Sequence, residues 1–124
     1  MSTLKPRQLV VVSLPAEDVP TTVHFYRDII GLRLLPQHGQ QPAFDLGNGL
    51  HLVIVQGKSA PSTDSGTPRF PQLAFAVDDL DVAVAQLQAR QISLPWGIET
   101  KADNRWIMFH DPAGNLIEFA QFGP

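Results

Sequence analysis

The chain contains no cysteine. Disulfides, thiolate metal sites and cysteine nucleophiles are therefore excluded. Charge is sparse as well. Asp, Glu, Lys and Arg make up 17% of the 124 residues, the net charge is −3, and no basic run appears, so there is no electrostatic case for nucleic acid as a partner. No apolar run approaches the ~20 residues that a membrane-spanning helix needs. The opening "MSTLKPRQLV" carries no signal-peptide pattern, so a cytoplasmic address is the expectation. A Gly-rich phosphate loop and a serine-hydrolase elbow are both missing. What is present is a 44% apolar composition, which is globular rather than disordered, in a length suited to one structural domain.

The order of elements repeats along the chain. "QLVVVSL" (8–14) is rich in β-branched residues and reads as a buried strand. "AEDVPTTVHFYRDIIGL" follows, with Asp18 as N-cap, Pro20 in the first turn, and Val19, Val23, Tyr26 and Ile30 at helical spacing. Gly31 is placed to end that helix. Short strands are predicted at 32–36, 42–46 and 50–55. The Ser/Pro/Gly-rich stretch that follows reads as a linker over 56–70. A strand at 71–77, a capped helix at 78–90 and strands at 92–95, 105–110 and 115–121 complete the chain. The predicted organisation is one module over 1–55, a linker over 56–70 and a second module over 71–124, within one structural domain. Each module reads β-α-β-β-β.

Laying "VVSLPAED" on "QLAFAVDD" puts Val11 on Gln72 and Asp18 on Asp79. Laying "GNGLHLV" on "GNLIEFA" puts Gly47 on Gly114, Asn48 on Asn115 and His51 on Glu118. The longer second half is accommodated by an insertion within 96–104. The repeat thus selects four equivalent positions: Val11, His51, Gln72 and Glu118. Strand alternation groups Gln72 with Ala74 and Ala76, His51 with Val53, and Glu118 with Leu116 and Ala120. If "DPAGN" closes a symmetric hairpin, Trp106, Met108 and His110 share the face of Glu118.

Buried carboxylates need a cation, a metal or hydrogen bonds. His, Gln and Glu all carry atoms able to ligate a divalent metal. Three protein ligands with open positions suit a catalytic site. The plainer alternatives are a Glu118 paired with an Arg such as Arg105, and a hydrogen-bonded structural His51. For Trp106 the choice is between stacking on a planar ligand and ordinary core packing. For His110 it is between acid–base work and capping the hairpin. Trp96 and Phe70 border loops. His24 reads as solvated, His38 as a turn residue, and Asp111 and Pro112 as servants of the last turn.

Three segments resemble the vicinal oxygen chelate superfamily of glyoxalase I, bleomycin-resistance proteins, extradiol dioxygenases and fosfomycin-resistance enzymes. They are "AEDVPTTVHFYRDIIGL", "FAVDDLDVAVAQL" and "DPAGNLIEF". The resemblance implies an α+β fold in which two β-α-β-β-β modules form a curled mixed sheet around a cleft, within a homodimer. It also implies metal ligands at the four positions selected by the repeat. Glu118 matches, His51 is a ligand type, Gln72 stands where His is usual, and Val11 cannot bind metal.

The resemblance thus implies a divalent-metal-dependent enzyme acting on a small oxygen-rich molecule as lyase, isomerase or dioxygenase. The metal (Fe, Mn, Ni, Co or Zn) would sit on His51, Gln72 and Glu118, with Glu118 also the catalytic proton acceptor. Trp106, Met108 and His110 would contact the substrate. The alternative is a metal-free antibiotic-binding protein of the bleomycin-resistance type. A regulatory subunit without a small-molecule site is a third possibility. Three retained ligand-capable side chains favour the enzyme class.

Overall fold

A computed structural model describes residues 4–36, 41–58 and 69–123. His38 and most of the linker predicted at 56–70 lie outside the described residues. The chain divides into two compact units, Met1–Lys58 and Ser59–Pro124.

The first unit begins with strand β1 (Val11–Ala16) and helix α1 (Val19–His24). Asp18 caps α1: its carboxylate accepts the Thr21 N–H at 3.1 Å. Pro20 sits in the first turn, where its missing N–H costs nothing. The helix widens into a π-helical stretch over Phe25–Ile30 and stops at Gly31, whose φ of 90° is left-handed. Strands β2 (Arg33–Leu34), β3 (Ala43–Asp45) and β4 (His51–Gln56) follow. The sheet order is β1-β4-β3-β2, with β1 parallel to β4 and the other pairs antiparallel. Leu14, Ala16, Phe44, Leu52, Ile54 and Tyr26 form the core of this unit. Val11, Ser13, Asp45, His51 and Val53 occupy the other face of the sheet, as their shared register requires.

The second unit repeats the plan. Strand β5 (Leu73–Ala76) leads to helix α2 (Leu80–Ala89), capped by the Asp79 carboxylate on the Val82 N–H. The Gln121 side chain accepts the Leu80 N–H at 2.8 Å and ties the helix start to the last strand. Strands β6 (Glu99–Lys101), β7 (Asn104–His110) and β8 (Leu116–Gln121) complete a sheet of order β5-β8-β7-β6, again with one parallel pair. Leu73, Ile107, Phe109, Ile117 and Phe119 fill its core, with Phe109 and Phe119 packed edge to face at 5.0 Å. The fold is thus α+β, two β-α-β-β-β modules each carrying a four-stranded mixed sheet.

One predicted strand is displaced. Residues 92–95 form no strand; β6 lies instead at Glu99–Lys101, inside the stretch read as an insertion. The backbone explains the change. The Ile92 N–H is spent on Leu87 O, closing α2, and the Gly97 N–H turns back to Leu94 O. Pro95 has no N–H to offer a ladder. Among the described residues no helix is long and apolar enough to cross a membrane.

Candidate functional site

The closing hairpin fixes the geometry of the second unit's open face. The turn at 111–115 is held from within by a buried carboxylate. Asp111 accepts the N–H groups of Ala113 and Asn115, each at 2.9 Å, and the Asn115 side-chain amide at 2.9 Å. The turn is symmetric, so Met108 pairs with Glu118, His110 with Leu116 and Trp106 with Ala120. Trp106, Met108, His110 and Glu118 therefore share one face, opposite the core face of Ile107, Phe109, Ile117 and Phe119. On the other side of β8, Glu118 stands beside the small residue Ala74.

Two residues that sequence reasoning missed complete this face. Glu99 pairs with Trp106 across β6 and β7, which puts its carboxylate on the same side. Arg69 reaches in from the chain before β5. Its guanidinium makes a two-pronged ion pair with Glu99, Nη1 to Oε1 at 2.9 Å and Nη2 to Oε2 at 2.8 Å. Nη1 also lies 3.8 Å from the Met108 sulfur. The guanidinium carbon stands 4.2 Å from the centroid of the Trp96 ring. Trp96 in turn lies 5.8 Å from the His110 ring. No local pattern marks Arg69 or Glu99; only the sheet register brings them here.

Glu118 is half-buried. Burial and then the negative charge of Glu99 hold its pKa above the ordinary carboxylate value. No donor among the described residues is hydrogen-bonded to its carboxylate. Arg105, the cation considered for it from sequence, pairs with Asp81 at 2.7 Å instead.

Gln72 lies at a bend just before β5. Its Oε1 accepts the Leu116 N–H at 2.6 Å, and its Nε2 donates to the buried Asn115 side chain at 3.2 Å. Its amide thus continues the sheet ladder where the backbone bends. His51 belongs to the first unit, between Val11 on β1 and Asp45 on β3. Counted from the helix caps, Ser13 precedes Asp18 at the same spacing as Ala74 precedes Asp79. Ser13 pairs with Val53 and Ala74 pairs with Glu118. Val53 is therefore the register counterpart of Glu118, and His51 sits one step earlier on the same face.

These donors fit a resident metal poorly. Val11 has no ligating atom, the Gln72 oxygen is already an acceptor, and Val53, the register counterpart of Glu118, has no ligating atom either. Among the described residues, no group of three His, Cys, Asp or Glu side chains is arranged to hold a metal ion.

Of the remaining residues singled out from sequence, His24 is exposed and pairs with Asp28 at 2.7 Å. Phe70 is largely exposed. Asp111 serves the turn, as described.

Comparison with known proteins places this geometry. A metallothiol transferase FosB from Lysinibacillus sphaericus is 29% identical over 105 residues, covering 82% of this chain and 73% of that protein. The crystal structure of TnmS3, an antibiotic binding protein from Streptomyces, matches with a TM-score of 0.73 at 27% identity, covering 95% of this chain and 98% of that one. A glyoxalase/dioxygenase from Nostoc punctiforme shares the fold with a TM-score of 0.77 at 24% identity, over 100% and 98% of the two chains. The model of one family spans residues 8–119, and with the duplicated fold and its closing hairpin it shows that the chain belongs to the Glyoxalase/Bleomycin resistance protein/Dioxygenase superfamily.

Proposed function

We propose that the chain binds a small planar organic molecule, of the kind found among antibiotics, on the open face of its second sheet, through its own side chains and without a metal. The Glu118 carboxylate carries this reading. It faces outward beside Ala74 and Met108, partly desolvated, with no donor bound to it among the described residues. A carboxylate in that state favours a ligand that brings a hydrogen-bond donor or a positive charge. Trp106 offers a part-exposed ring for stacking and the exposed His110 can donate or accept at the edge, while Met108 is buried, with the Arg69 guanidinium against its sulfur. The likeness to an antibiotic binding protein supports the same reading. The reading keeps the cytoplasmic address expected from the sequence and the homodimer that the family resemblance implies.

The test is to titrate a panel of aromatic antibiotics into the protein with and without a strong chelator. Affinity indifferent to the chelator, and weakened about tenfold or more in Trp106→Ala and in Glu118→Gln, is the expected outcome. Binding abolished by the chelator would count against it.

A second reading is the divalent-metal-dependent enzyme, with His51, Gln72 and Glu118 as ligands and Glu118 as proton acceptor. The identity to a protein named as a metallothiol transferase supports it. The donor set described above weighs the other way. Metal quantified after exposure to Mn, Fe, Co, Ni and Zn and desalting decides between them. About one equivalent per chain, lost in Glu118→Ala, would favour the enzyme.

A further inference from the structure

Arg69 is arranged as a bound ligand would be. A planar cation lies against one face of an indole, Trp96, with the guanidinium carbon 4.2 Å from the ring centroid. A carboxylate, Glu99, grips it by two parallel hydrogen bonds at 2.8 and 2.9 Å. A thioether, Met108, touches one nitrogen at 3.8 Å. Aromatic face, bidentate carboxylate and soft sulfur together recognise guanidinium and amidinium groups in general, whether the group is part of the chain or not.

The grip is also a weak one to break. The side chains of Arg69 and Glu99 are 30% and 27% exposed, so water screens their attraction and can solvate either partner once they part. Arg69 is carried by a long, unbranched side chain that can leave by rotation of its own bonds, without moving the sheet. The subsite it vacates adjoins the Glu118 face: Glu99 pairs with Trp106, and Met108 pairs with Glu118. A ligand bearing an amidinium on an aromatic ring would meet Glu99 and Trp96 with its cation, and Trp106 and Glu118 beyond them.

We propose that Arg69 is an internal competitor, and that the Trp96–Glu99–Met108 subsite takes the amidinium or guanidinium group of a planar cationic ligand in its place. This inference rests on the binding reading above and narrows it to a chemical class. It makes Arg69 a restraint on affinity: the native side chain must be displaced before the ligand's cation can dock.

The test uses benzamidinium as the probe and benzamide, its neutral isostere, as the control. Binding is followed by the NMR shift of the indole N–H groups in the full chain. Arg69→Met keeps much of the apolar stem and removes the cation. It should bind benzamidinium about tenfold more tightly than the unaltered protein, the equivalent of about 1.4 kcal/mol. Benzamide should gain nothing. Adding Glu99→Gln to Arg69→Met should remove the gain, and the dispersion of the amide spectrum checks that each variant remains folded. Arg69→Gln serves as a second variant should Arg69→Met lose its fold.

Equal or weaker benzamidinium binding in the folded Arg69 variants overturns the inference, as does a gain that survives Glu99→Gln. Failure here is separable from failure of the broader reading. An aromatic antibiotic whose affinity falls in Trp106→Ala but does not change in Arg69→Met would leave the binding function standing and remove Arg69 as its competitor.

Discussion

The side-chain oxygen of Gln72 accepts the backbone N–H of Leu116 at 2.6 Å, and the same amide donates to Asn115 at 3.2 Å. A side chain so engaged has a structural task at the mouth of β5 and β8. A residue that the family resemblance marks as a ligand can thus be spent on holding the sheet together.

Replacing Gln72 with Ala should therefore cost about 1–2 kcal/mol of stability, since it removes two hydrogen bonds of ordinary net strength. Urea denaturation measures this directly. Metal retention after desalting should be the same in the variant as in the unaltered protein. An unchanged stability with a fall in bound metal would instead make Gln72 a ligand.

The turn that aims Glu118 makes a second prediction. Asp111 is 4% exposed and Asn115 is fully buried, and three N–H donors of the turn meet on the one carboxylate. Asp111→Ala would leave the Asn115 backbone N–H and side-chain amide without that acceptor inside the protein. Hydrogen bonds to a charged group contribute about 1.5–3 kcal/mol each, so a total loss of about 3 kcal/mol is expected. Asp111→Asn keeps one acceptor oxygen and should lose less. Paired denaturation curves of the two variants check the ranking.

The hairpin also shows what a linear reading can reach. The alternation of "RWIMFH" and "NLIEFAQ" about a symmetric turn is enough to put Trp106, Met108, His110 and Glu118 on one face, because strand period and turn length are local properties. The two helix starts are legible for the same reason: Asp18 and Asp79 bond to backbone N–H groups within their own first turns. Arg69 and Glu99 are not, since nothing in their neighbourhoods announces an ion pair between residues so far apart in the chain. β6 lies away from its predicted place because "ISLP" has strand-like composition, while its Ile92 N–H is used to finish α2 and its Leu94 carbonyl accepts the Gly97 N–H in a turn. Aligning the halves through their Gly-Asn pairs matches His51 to Glu118. The pairing of β1 with β4 matches Val53 to it instead, because register is counted from the strand partner and not from the turn.

The pH dependence of stability offers a third prediction, centred on Glu118. Burial, and then repulsion from Glu99, raise its pKa above the ordinary value of 4.5. The folded state thus binds the proton more tightly than the unfolded chain does. Between 4.5 and the raised folded value the native state carries more protons than the unfolded state, so stability falls as pH rises through that window. Below 4.5 the contribution is fully present, and above the folded pKa it is gone. Glu118→Gln has no such titration. Its stability should exceed that of the unaltered protein at neutral pH, and the difference should shrink as the solution is acidified through the same window. Denaturant unfolding at a series of pH values measures both curves. A ligand cation bound beside Glu118 reverses the sign, because it stabilises the ionised carboxylate. Affinity for such a ligand should therefore rise with pH across the window in the unaltered protein and stay level in Glu118→Gln. A level profile in both proteins would mean that the cation docks away from Glu118.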